Sequence, residues 1–305
     1  MINANDAVEE LITIGDLVRW GTSCFCEAEL VFGHGTDNAL DEAFALVRYS
    51  LHLPHEIPPY MILTRLTKSE RRRVVNLLME RISSRKPAPY LIQEAWFAGM
   101  PFYVDERVLI PRSPIAELIG HGFAPWIDPD NVATILDLCT GCGCIAIACA
   151  EQFPDAKVTA TDTDPLALEV AALNVEKHQQ KTQVTLLQSD VFEQLPVGQT
   201  FDIIVSNPPY VDADDMAALA VEFQHEPLHA LAAGKDGLDI VERILRRASD
   251  YLTPQGILVV EVGNSADALM LQFPDLAFNW PDFQHGGHGV FILTRQELLD
   301  HTTSG

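Results

Sequence analysis

Apolar residues recur with helical spacing along the first ninety positions of the chain. Val8, Leu11, Ile14 and Val18 share one face of a helix expected over residues 6–20, and Leu40, Phe44, Val47 and Leu51 do so over 38–53. Thr67-Lys68-Ser69-Glu70 is a capping-box pattern, and it opens a third helix carrying Val74, Leu77, Leu78 and Ile82. Pro87 and Pro89 stop that helix. These aliphatic stripes form a core, so residues 1–92 are expected to make a small helical domain. Residues 95–110 then alternate and turn at Gly99-Met100, which predicts a β-hairpin linker spanning 93–112.

From 113 to 305 the pattern changes to short buried strands alternating with helices. Residues 133–138 read as a strand carrying Asp137, followed by Cys139-Thr140-Gly141-Cys142-Gly143 and a helix of small apolar residues that begins near Ile145. Strand, glycine turn and helix form the first unit of a doubly wound sheet, where ligands lie beyond the carboxyl ends of the strands. Gly141 and Gly143 let a ligand approach the backbone with no Cβ in the way. A second strand, Val158-Thr159-Ala160-Thr161, ends at Asp162, about twenty residues past the loop, where an acid is placed to bind ribose hydroxyls. Residues 237–252 predict a helix, and 257–262 and 289–293 two more strands.

The most informative segment follows the apolar run 201–205: Ser206-Asn207-Pro208-Pro209-Tyr210. Asn207 precedes a proline and is pushed towards extended backbone, and φ is locked at Pro208 and Pro209. Because Pro209 has no N–H, the Pro208 carbonyl and the Asn207 side-chain oxygen form a rigid ledge with two acceptors. That pair suits a planar NH2 group with two hydrogens to donate, and Tyr210 adds an aromatic wall. A tight turn without function is the alternative reading of a Pro-Pro pair. The three strand tips converging on one edge favour the ledge.

Asp137 through Gly143, Asp162, Asp190 and Asn207-Pro208-Pro209-Tyr210 resemble the class I S-adenosylmethionine-dependent methyltransferases that act on planar amino nitrogens. Phe97-Ala98-Gly99, Phe102, Val104 and Val108-Leu109-Ile110-Pro111-Arg112 resemble the HemK-like protein-(glutamine-N5) methyltransferases. Gly33-His34-Gly35-Thr36-Asp37-Asn38 and Pro111-Arg112-Ser113-Pro114-Ile115 look like the branch of that family acting on large-subunit ribosomal protein L-three. The resemblance runs from about residue 7 to 295. It implies a Rossmann-like, seven-stranded, mostly parallel sheet over 113–305, with residues 1–92 as a substrate-recognition domain. S-adenosyl-L-methionine is the implied cofactor and ribosomal protein L-three the implied partner. The implied catalytic residues are Asn207, Pro208, Pro209 and Tyr210. Asp137, Cys139, Thr140, Gly141, Cys142, Gly143, Asp162, Asp190, Val191 and Asn207 are the implied cofactor contacts, with Asp162 on the ribose and Asp190 on the adenine amino group. Asn207, Pro208, Tyr210 and Arg112 are the substrate contacts, Arg112 serving either as a carboxylate clamp or as a structural ion pair. Cys139 stands where many relatives have glycine, Cys142 where they have a hydroxyl residue, and Val191 where the release-factor branch often has an aromatic one. The Pro-Arg segment lacks the Pro-Arg-x-x-Thr-Glu form of the release-factor branch, which counts against a release-factor substrate.

Composition narrows the partner. With 43 Asp and Glu against 20 Lys and Arg, the 305-residue chain has a formal charge of −23. That disfavours a nucleic-acid substrate and suits a basic protein. Arg71-Arg72-Arg73 reads as a solvated helix face. No apolar stretch reaches the roughly eighteen residues of a membrane span, and no signal pattern opens the chain, so a cytoplasmic location is expected. No metal is expected: the second pair that Cys139, Cys142 and Cys144 would need, Cys24-x-Cys26, is poorly spaced. His285-Gly286-Gly287-His288-Gly289 reads as a turn. Three other readings compete: a release-factor glutamine methyltransferase, an exocyclic-amine methyltransferase of a nucleobase, and a non-enzymatic acidic ribosome-assembly factor.

Overall fold

The computed structural model describes residues 3–284 and 286–304, with side chains through His301; His285, part of the predicted glycine-rich turn, lies outside the described residues. Two compact units divide the chain. The first comprises Met1–Glu94 with Ala220–His225, the second Ala95–Leu219 with Glu226–Gly305. The predicted linker hairpin therefore groups with the second unit, and a short segment downstream of the prolines groups with the first.

In the first unit the predicted opening helix is two helices, α1 (Ala4–Glu10) and α2 (Ile14–Glu27). The break has a local cause. Thr13 Oγ1 accepts from Asp16 N at 3.1 Å, and the Asp16 carboxylate accepts from Thr13 N at 2.9 Å, a second capping box. Helix α3 (Ala39–Ser50) is capped by Asn38 but presents Ala39, Ala43, Leu46 and Val47 inward, leaving Leu40 53% exposed. The buried face is thus rotated from the expected one. Helix α4 (Lys68–Ser84) starts at the predicted Thr67–Glu70 box and stops at Arg85, whose φ is 56°, before the prolines are reached. α5 (Ala88–Ile92) follows. Ala7, Leu17, Trp20, Phe25, Leu46, Val74 and Leu78 make the core. Two buried acids join it: Glu42 pairs with Arg81 at 2.7 Å, and Glu222 with Arg85 at 2.7 Å.

The second unit opens with the hairpin β1 (Ala95–Phe97) and β2 (Met100–Phe102). Its turn is Ala98-Gly99, both at positive φ, one residue earlier than predicted; Met100 pairs with Phe97 in the ladder. After α6 (Ile115–Gly120) the chain alternates β3 (Thr134–Leu138), α7 (Cys144–Gln152), β4 (Lys157–Asp162), α8 (Pro165–Lys177), β5 (Val184–Gln188) and β6 (Phe201–Ser206). It continues through α9 (Ala213–Ala218), α10 (Asp239–Tyr251), β7 (Leu252–Glu261), α11 (Ala266–Gln272), β8 (Val290–Thr294) and α12 (Arg295–Ser304). The sheet order is β5-β4-β3-β6-β7-β8, parallel except for β8. Leu136, Leu138, Ile204, Leu258 and Val260 on the strands pack with Val241, Ile244 and Leu245 of α10.

The sheet has six strands among the described residues where seven were expected. At the outer edge of β8 the ladder shrinks to one antiparallel bridge, Asn279 to Ile292. Pro281, two residues on, has no N–H to extend it. The strand order reverses between β3 and β6, which places a ligand cleft at their carboxyl ends.

Candidate active site

Three strand tips build the cleft. At the end of β3, Cys139 adopts φ 59° and Gly141 φ 54° before Gly143 caps α7. Asp137 holds this loop from below. Its Oδ2 accepts from Thr140 Oγ1 at 2.5 Å and from Ala146 N at 3.1 Å, while its Oδ1 is buried without a hydrogen-bond partner. Burial raises its pKa to about 7 against these two bonds. Asp137 is fully buried, as are Thr140 and Cys142 within a few per cent. These three predicted cofactor residues shape the loop from behind.

Asp162, at the end of β4, does face the cleft. Its Oδ2 accepts from Gly141 N at 2.9 Å and its Oδ1 from Asp164 N at 3.0 Å. Burial pushes its carboxyl pKa up, and the two backbone bonds oppose that. A carboxylate offers about four acceptor positions, so two remain. A Cβ built on Gly141 meets nothing within 4 Å; the loop there leaves a cradle that the protein does not fill. Cys139 lines the same space, and burial pushes its thiol pKa up, away from thiolate chemistry.

The third tip is β6. Ser206 Oγ donates to Leu138 O at 2.8 Å, tying it to β3, and the chain then enters the two prolines. Asn207 Oδ1 is buried without a hydrogen-bond partner among the described residues, and Asn207 and Pro209 line the cleft with Cys139, Gly141 and Asp162. The cleft encloses about 490 Å³ of space open to solvent. Tyr210, next after Pro209, is not among these linings; its side chain reaches the end of β7. Its hydroxyl donates to Glu261 Oε1 at 2.8 Å, and burial first, then the Glu261 charge, pushes its pKa up.

Two further predicted residues make ion pairs. Arg112 forms the ion pair: its guanidinium donates to Glu226 Oε1 at 2.6 Å and Oε2 at 2.8 Å, a fork on a carboxylate that also accepts from Ile110 N. Asp190 pairs with Arg243 at 2.8 Å, and with Val191 it borders a separate hollow beside Phe192 and Arg246. Val191 sits at φ 51°, an uncommon conformation for a β-branched residue. The cleft gains residues that sequence reasoning missed, among them Arg107, Val108, Thr163, Ala167 and His229. Thr163 and Ala167 follow Asp162 closely enough to be found from it; His229 has no motif around it. No group of three or more metal-binding side chains occurs among the described residues, and no described helix is long and apolar enough to cross a membrane.

Comparison with known proteins places the chain in a family. The methyltransferase small domain family matches residues 123–235, a span containing the loop, Asp162, Asp190 and the ledge. A protein of Francisella tularensis subsp. tularensis named ribosomal protein uL3 glutamine methyltransferase is 48% identical over 297 residues, covering 97% of this chain and 94% of its own. One of the same name from Neisseria gonorrhoeae is 46% identical, covering 97% and 98%. Among solved structures, a methyltransferase from Pyrococcus furiosus superposes with a TM-score of 0.47 at 22% identity, over 65% of this chain and 89% of that one. With nearly half of its residues identical along almost its full length, the chain belongs to the ribosomal protein uL3 glutamine methyltransferase family.

Proposed function

We propose that this protein methylates the side-chain amide nitrogen of a glutamine in ribosomal protein uL3, using S-adenosyl-L-methionine. The observation that carries the reading is Asn207 Oδ1, a buried acceptor left without a partner at the rim of a cleft. A buried polar atom without a hydrogen bond costs about 1–3 kcal/mol, so a fold that keeps one is reserving it. The relatives named for uL3 supply the substrate.

The residues present fit the cofactor. Gly141 leaves open space where a side chain would stand, and Asp162 keeps acceptor capacity for ribose hydroxyls beside it. S-adenosyl-L-methionine, when bound, supplies a methyl group made electrophilic by a positively charged sulfur. Asn207 Oδ1 and the Pro208 carbonyl accept the two amide hydrogens and aim the nitrogen. An amide lone pair is delocalised into its carbonyl, so positioning and polarisation do more here than a strong base. Tyr210 walls the ledge. Glu261 accepts hydrogen bonds at both oxygens, from Tyr210 and Ser113, so proton removal falls to solvent. The acidic chain, at −23, draws a basic protein partner to it.

The test is to incubate the protein with methyl-labelled S-adenosyl-L-methionine and total ribosomal proteins and to identify labelled species by mass. Label on one glutamine of uL3 is expected. Label on another protein, or on ribosomal RNA, contradicts the substrate assignment.

A further inference from the structure

Tyr210 is held at three points. Its phenol hydroxyl donates to Glu261 Oε1 at 2.8 Å. Its ring lies so close to the backbone of Gly263 that a Cβ there would stand 2.6 Å from Cε2, a contact only glycine permits. Its carbonyl accepts from Ser265 Oγ at 2.8 Å. Of these three, the hydroxyl contact is the one that reaches the far end of the phenol ring.

Glu261 is itself fixed. It is the last residue of β7, 5% exposed, and its Oε2 accepts from Ser113 Oγ at 2.5 Å. Ser113 is 6% exposed and its Oγ also accepts from Ile115 N at 3.2 Å, so the hydroxyl is anchored to the start of α6. The neighbouring Arg112 adds positive charge near the site while its fork is engaged with Glu226. A carboxyl group this deep is unfavourable unless its oxygens are hydrogen-bonded, and both are. The chain α6–Ser113–Glu261–Tyr210 thus runs from a helix start through the end of β7 to the ledge, joining residues 148 and 51 positions apart.

We propose that Glu261 is a positioning residue for methyl transfer: held by Ser113, it orients the Tyr210 ring so that the ledge presents a fixed wall to the planar group bound by Asn207. This rests on the function proposed above. Neither Glu261 nor Ser113 takes part in the chemistry; both act through Tyr210, by restricting the poses in which the amide can sit.

The experiment measures single-turnover rate, KM for the protein substrate and cofactor affinity by calorimetry for Glu261→Ala, Glu261→Gln, Tyr210→Phe and the Glu261→Ala/Tyr210→Phe double variant. Glu261→Ala is expected to slow transfer about tenfold or more, the scale of one lost hydrogen bond to a charged group, with cofactor affinity within about twofold of the parent. Glu261→Gln, which keeps an acceptor for the phenol, should recover most of that loss. Tyr210→Phe should match Glu261→Ala, and the double variant should be no slower than either single one, because both remove the same contact. Additive losses, parental rates in Tyr210→Phe, or a fall in cofactor affinity matching the fall in rate would overturn the proposal. Tyr210→Phe keeps the test alive if Glu261→Ala fails to fold. Should the parent label a protein other than uL3, the function reading fails while the same four-way comparison, run on that protein, still decides the role of Glu261.

Discussion

Asn207 and Tyr210 bracket the same two prolines, yet the fold treats them in opposite ways. Asn207 Oδ1 is buried with no partner. The Tyr210 hydroxyl, ring and carbonyl each meet a dedicated neighbour: Glu261, Gly263 and Ser265. One end of the ledge is left incomplete and the other is completed beyond what packing needs. Under the function proposed, Asn207 is left open for the substrate amide while Tyr210 is held in one position. Asp137 sharpens the lesson. It too has a buried oxygen without a partner, but it is not among the residues lining this cleft, and burial, with the Asp162 charge, raises its pKa to about 7. An orphan atom marks a site only where it borders space.

The largest expected effect breaks the open end. Asn207→Ala should lower kcat by about a hundred- to a thousandfold, the usual loss for one preorganised polar group at a reacting centre. Cofactor affinity measured in parallel should change little, and a matching fall in affinity would move Asn207 to the cofactor. Next comes Asp162→Ala, which removes a charged acceptor and frees Gly141 N. Its cofactor affinity should drop about ten- to a hundredfold. Unchanged affinity by calorimetry would take Asp162 out of the binding edge.

A smaller effect tests Asp137. Its folded pKa of about 7 lies above the ordinary value of 3.8, so the unfolded chain gives up this proton while the folded one keeps it. The stability it allows is full below pH 3.8 and is lost as pH rises towards about 7. In urea denaturation at a series of pH values, Asp137→Asn should gain on the parent across that window and level off above it. A constant difference would mean that Asp137 is ionised throughout. The smallest effect concerns Cys139, held at φ 59° where glycine is at ease. Cys139→Gly should stabilise the fold by up to about 1 kcal/mol in thermal or denaturant unfolding. A destabilised variant would show that the side chain's packing outweighs the strain.

That Asn207 and Pro209 reach the cleft could be read from sequence because the constraint is local: consecutive prolines lock their own dihedral angles. The alternation of strands and helices was legible for the same reason, as were the Thr67–Glu70 box and the Asp162 position. Long-range pairs were not. Arg112 meets Glu226 across 114 residues and Ser113 meets Glu261 across 148, and no spacing rule encodes either. The resemblance implied an adenine contact for Asp190; its ion pair with Arg243 depends on where α10 docks and could not be read from sequence. The first helix was overextended because apolar spacing continues through Thr13 although the capping box interrupts the backbone. In α3 the choice of Leu40 over Ala39 and Ala43 followed side-chain size, whereas close packing against α2, where a Cβ on Gly21 would stand 3.3 Å from that of Ala43, favours the small residues.

The most direct test of the central claim compares Asn207→Asp with Asn207→Ala in single-turnover methyl transfer to uL3, with cofactor binding measured alongside. Aspartate keeps an acceptor of nearly the same shape, so if acceptance of the amide hydrogens is what Asn207 contributes, Asn207→Asp should retain far more activity than Asn207→Ala. Equal loss in both variants, or full activity in Asn207→Ala, would contradict the account.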